Sequence, residues 1–118
     1  MEPAYVLGTG GAIGAVARYL VSVAVASERF PTGVLVVNTL GTFLAATVAF
    51  VAPAESAVLF LSVGFAGSFT TFSSFSFEAI RLWETDRRDL AILHAVGNLV
   101  CCLAGAGVAW LLVAALGL

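Results

Sequence analysis

The chain has 118 residues, 61% of them apolar and only 10% charged, where an ordinary soluble domain carries roughly 25% charge. Five basic and seven acidic side chains are too few to cover a water-soluble fold of this size, so the bilayer is the solvent the composition fits. Every base is Arg and the formal charge is −2, which gives no basic stripe for nucleic acid. The adjacent Cys101 and Cys102 with a single His give neither a zinc-ligand spacing nor a disulfide framework.

Four apolar runs follow one another. The first predicts a helix over about 4–26 with Arg18 as its one charge. Ala24-Val25-Ala26 has the form of a signal cleavage site, but Met1-Glu2 lacks a basic residue and the apolar run is too long, so a membrane span is expected. Gly8, Gly10, Gly11 and Gly14 make no dinucleotide loop, because no strand precedes them and Ile13 stands at the last Gly of that fingerprint. Gly10-x-x-x-Gly14 instead offers a small-residue face that a second membrane helix can approach closely.

The second span is predicted over 32–52, after Pro31, and carries Asn38 with Gly41 and Thr42 about one turn on. An amide in hydrocarbon costs several kcal/mol unless paired, so Asn38 either bridges helices or lines a polar path. The third span is predicted over about 56–80. Residues 68–77 are all Ser, Thr or Phe and directly follow Gly64-Phe65-Ala66-Gly67. Weak helix formers and hydroxyls that compete for backbone partners predict a break near 67–71. Backbone freed at membrane depth is tolerated only inside protein or along a watery path.

A fourth span is predicted over about 90–117. His94, Asn98 and Cys102 recur at four-residue steps and share one stripe, while Gly97, Cys101 and Gly105 form a second, small-residue stripe. Each run has about 20 residues or more, enough to cross roughly 30 Å of hydrocarbon. The sequence therefore predicts one domain over 1–118, an all-α membrane protein of four transmembrane helices with the third broken near its middle. Arg29, Arg81, Arg87 and Arg88 fall on one side of the membrane and no Arg on the other, which places both termini outside. The Glu78 and Arg81 pair reads as a solvated helix end, and the lack of Lys with an acidic excess fits a halophilic source.

Rival functions of the same size are less well served. A drug/proton antiporter needs a carboxylate well inside a helix, and every acid here lies at a terminus or loop edge. An intramembrane enzyme needs a nucleophile beside a base, whereas His94 and Cys102 are about 12 Å apart along one helix. A non-conducting accessory subunit remains compatible with the sequence.

Three stretches carry a resemblance. Gly10-Gly11-Ala12-Ile13-Gly14-Ala15-Val16-Ala17-Arg18-Tyr19, then Val37-Asn38-Thr39-Leu40-Gly41, then the run from Gly64 through Thr70-Thr71-Phe72-Ser73-Ser74-Phe75 to Glu78 make the chain similar to the Fluc/CrcB fluoride channels. That resemblance implies a passive fluoride-selective channel of the cell membrane, built as an antiparallel dual-topology-type dimer, either of identical chains or with a homologous partner. It also implies a central structural sodium ion (Na+) held by main-chain carbonyls, which fall here on Gly67 and Thr70. Phe72 and Phe75 would be the phenyl pair of the fluoride path, Asn38 its amide donor, and Ser73 and Ser74 its hydroxyl donors. The polar track of the last helix would fall on His94, Asn98 and Cys102, with His94 and Cys102 replacing the commoner Tyr and Ser. Arg18 would sit in a vestibule.

Overall fold

The computed structural model describes residues 2–118, and helix is the only regular secondary structure among them. Helix α1 spans Pro3–Ala24, with its proline in the first turn, where a missing N–H costs no hydrogen bond. Helix α2 spans Thr32–Val51 and stops where Ala52 turns left-handed (φ 51°) ahead of Pro53. The third span, Glu55–Glu84, consists of α3 over residues 55–69 and α4 over Phe72–Glu84. Helix α5, Arg88–Leu116, follows a tight turn at Asp86 (φ 60°) and ends at Gly117 (φ 70°), a left-handed position that glycine takes without strain. All four spans are long and apolar enough to cross a membrane, as the sequence predicts.

Between Val58 and Ala66, α3 winds as a π-helix, a rare form that is frequently found at functional sites. The sequence does not foreshadow this. It lies where α1 packs most intimately: a Cβ on Gly10 or Gly14 would run into the backbone of Phe60 or Phe65, and one on Gly64 would come within 2.7 Å of the Leu7 carbonyl. The expected small-residue face of α1 is thus the α1–α3 contact. On α5 only part of the expected stripe is used, since Gly105 closes against the Thr39 carbonyl whereas Gly97 faces open space.

The break lets the third span change partners. Its first half packs on α1 and α2, its second half on α5, and α2 runs along α5. Few large side chains are buried (Val37, Phe69 and Leu82 among them), while Leu, Ile, Val and Phe residues cover the outside. A protein that exposes this much hydrocarbon is built for lipid or for another apolar surface. At one end Glu28, Arg29, Asp86, Arg87 and Asp89 surround a common hollow, so the two charged loops lie on the same side.

Candidate functional site

Thr70 (φ −79°, ψ 160°) and Thr71 (φ −148°, ψ 119°) are extended, and this pair is the break. Two peptide units thereby leave the helical ladder, and side chains from two other helices take them over. The Thr71 N–H donates to Asn38 Oδ1 (2.7 Å), and its carbonyl accepts from Asn38 Nδ2 (3.1 Å). From α1, Arg18 Nη1 donates to the Thr70 carbonyl at 3.3 Å. Thr71 then restarts the helix as an N-cap, its Oγ1 accepting from the Ser74 N–H at 3.0 Å.

Asn38 reaches further. Its Nδ2 also donates to Asn98 Oδ1 (3.1 Å), and Asn98 Nδ2 donates to the His94 carbonyl (2.8 Å) and lies 3.3 Å from His94 Nδ1. His94 Nε2 donates to the Phe75 carbonyl at 3.0 Å. Among the described residues no buried side-chain nitrogen or oxygen is left without a partner. A satisfied polar network is the condition under which two asparagines and a histidine are stable inside an apolar bundle.

Beside this network opens a cavity of about 360 Å³, lined by Asn38, Thr42, Thr70, Thr71, Asn98 and Cys102, by the rings of Phe72 and Phe75, and by Ala95 and Leu99. The two rings lie 5.8 Å apart and are tilted by 33°. Phe72 is 79% exposed, so burial does not explain its place here. No charged side chain lines the cavity. Hydroxyl and thiol groups with aromatic edges can replace the water of a small anion, and without a fixed cation they do not hold it too tightly to release it.

A second cavity of about 420 Å³ is lined by Gly67 and Thr70 together with Gly41, Thr42, Ala45, Ala46, Ser62 and Ala66. The Thr71 N–H, which would serve the Gly67 carbonyl in a continuous helix, is engaged by Asn38 instead, and the Thr70 carbonyl lies beyond the end of α3. Neutral carbonyl oxygens of this kind suit a hard monovalent cation. Arg18 competes for one of them.

The structure therefore gathers Asn38, Phe72, Phe75, Asn98 and Cys102 around one cavity and puts Gly67 and Thr70 on a second. Arg18, inside the first span, reaches across to the break. His94 is fully buried behind Phe75 and does not line the cavity. Ser73 and Ser74 are exposed on α4 and stand off it, Ser73 Oγ lying 3.4 Å from Thr71 Oγ1. Sequence reasoning notes two residues of the cavity, Thr42 and Thr71, without assigning them to the path. Thr42 stands one turn on from Asn38, while Thr39 and Thr47 on the same helix merely bond back to it. Thr71 is recognisable only once the break is located.

Four apolar spans around a neutral, ring-flanked cavity at a broken helix define a small multi-pass membrane protein. The profile of the CrcB-like protein family, described as Camphor Resistance (CrcB), matches residues 5–110. The chain belongs to that family. It is 48% identical over 110 residues to the fluoride-specific ion channel FluC 2 of Haloarcula marismortui, covering 93% of this chain and 92% of that one. It is 42% identical over 112 residues to fluoride-specific ion channel FluC 1 of Halobacterium salinarum, covering 95% and 94%. Fluoride-specific ion channel FluC 3 of Methanosarcina acetivorans is 41% identical over 106 residues, covering 89% and 96%.

Proposed function

We propose that the chain is a passive fluoride-selective channel of the cell membrane that lets cytoplasmic fluoride out. One observation carries the reading: the uncharged cavity at the Thr70–Thr71 break, flanked by Phe72 and Phe75, in a chain whose relatives are named fluoride-specific ion channels. Fluoride is small and strongly hydrated, so a selective path must offer several compact donors at once. Thr42 and Cys102 supply a neutral hydroxyl and thiol along the cavity, Phe72 and Phe75 supply ring edges, and Asn38 and Asn98 line it with amides whose N–H bonds are held by the network. Hydrogen fluoride crosses lipid as the neutral acid and dissociates at neutral pH, so an electrically driven leak of the anion is enough for export.

The carbonyls of Gly67 and Thr70 are the groups that would hold a structural sodium ion, whose charge would favour an anion nearby. One chain offers two such oxygens at the break, and a second, antiparallel chain would complete the shell. Arg18, at the same carbonyl, adds positive potential to the approach. Ser73 and Ser74, exposed beside Phe72, are available to that second chain.

The distribution of Arg favours a partner other than an identical copy. Arg29, Arg87 and Arg88 cluster in or beside the loops of one end, and the other end carries no Arg. A chain with this bias inserts mainly one way, and an antiparallel mate would be a homologue with the opposite bias.

Efflux from liposomes read with a fluoride electrode, with chloride as control, tests the function. Fluoride release without chloride release is the expected result, from the lone chain or from the chain with a homologue. Vesicles that stay tight to fluoride in both cases refute the channel. Terminal tags found equally on both faces, together with activity of the chain alone, refute the one-way insertion.

A further inference from the structure

We propose that His94 is a positioning residue of the ion path, held as the neutral Nε2–H tautomer, which fixes Phe75 without touching the ion. This rests on the fluoride-path reading for its functional meaning, but not for its geometry. The protonation state follows from one fixed end of the network. A backbone N–H can only donate, so the Asn38 atom facing Thr71 N at 2.7 Å must be its oxygen. The Asn38 amide nitrogen then points to the Thr71 carbonyl and to Asn98, so Asn98 presents its oxygen there. That turns the Asn98 NH2 toward His94, whose Nδ1 at 3.3 Å must accept. The ring proton is left on Nε2, and the group it meets, the Phe75 carbonyl at 3.0 Å, can only accept. Each amide orientation and the tautomer are thus determined by the break itself.

The same imidazole holds the Phe75 ring. The two rings lie 4.8 Å apart with a tilt of 31°, and Phe30 makes an edge contact with the imidazole at 6.1 Å and 76°. Phe75 is therefore fixed at both its carbonyl and its ring, and its ring in turn faces Phe72 across the cavity mouth. An apolar residue at 94 would leave the Phe75 carbonyl and the Asn98 amide without this partner and the ring without its backing. Glutamine can supply a donor to one and an acceptor to the other.

His94 is the only histidine of the chain, so protein labelled with [15N]histidine and purified on a tag without histidine reports one imidazole. At neutral pH in lipid its nitrogen shifts should be those of a neutral Nε2–H ring. His94→Gln should keep fluoride flux within about threefold of the parent, whereas His94→Leu should lose about tenfold or more, the scale of the two side-chain hydrogen bonds it removes. An Nδ1–H or doubly protonated ring overturns the proposal, as does a leucine variant as active as the parent or a glutamine variant as inactive as leucine. If the parent conducts no fluoride either alone or with a homologous partner, the proposed function falls, and the tautomer measurement alone decides the placement of His94.

Discussion

Asn38→Asp changes one NH2 group for one oxygen in a side chain of nearly the same shape. Oδ1 can still accept from the Thr71 N–H, but the other oxygen now faces the Thr71 carbonyl and Asn98 Oδ1, each 3.1 Å from the nitrogen it replaces. Two donated bonds are lost, at about 0.5–1.5 kcal/mol each, which weakens the hold on the break by about 1–3 kcal/mol. The charge matters more for transport. A carboxylate about 4 Å from an anion in surroundings of effective dielectric about 20 repels it by about 4 kcal/mol, or roughly a thousandfold in occupancy. Electrode-monitored efflux from liposomes at pH 7.5 should therefore fall at least about a hundredfold, while size-exclusion elution stays that of the parent. Asn38→Ala, which loses the bonds but adds no charge, should lose less. Flux of the Asp variant within about tenfold of the parent would refute the placement of Asn38 on the anion path.

Phe72→Ile should abolish or severely reduce flux with little change in thermal stability, because the ring is 79% exposed and contributes little to the core; normal flux would remove Phe72 from the path. Replacing sodium by a large organic cation should lower the thermal stability of the protein in detergent, since a ligand at a hundred times its Kd stabilises the folded form by about 2.7 kcal/mol. Indifference to sodium would count against the Gly67 and Thr70 carbonyls as its ligands. Gly14→Val forces a side chain against the Phe65 backbone, which cannot swing aside, and should destabilise by about 1–3 kcal/mol or more. Gly8→Ala, with nothing within 4 Å, should be close to neutral, and equal melting temperatures for the two variants would contradict the α1–α3 contact.

The four spans were legible because hydrophobic runs of this length have few alternatives, and the break because Gly67 through Thr71 combines weak helix formers with competing hydroxyls. The shared stripe of His94, Asn98 and Cys102 also followed from spacing alone. What spacing cannot reveal is which partner a polar group finds. Arg18 is 52 residues from the Thr70 carbonyl it bonds, and Asn38 is 60 residues from Asn98. The burial of His94 behind Phe75, rather than along the cavity, depends on how α4 leans on α5. The π-winding of α3 was likewise hidden. No residue between Val58 and Ala66 demands it, and it becomes visible only where α3 lies against the glycines of α1.

The Thr70 carbonyl and both peptide groups of Thr71 are met by side chains borrowed from elsewhere in the chain: a guanidinium from α1, an amide from α2 and, through that amide, a second from α5. Alone in lipid, this segment would carry unmet donors and acceptors at several kcal/mol apiece. During biogenesis it can settle only after the first two helices are already in the bilayer, which is the order in which a ribosome delivers them. The last helix then locks the arrangement, so truncation before α5 would leave an intermediate with its polar seam unfinished, a natural target for membrane quality control.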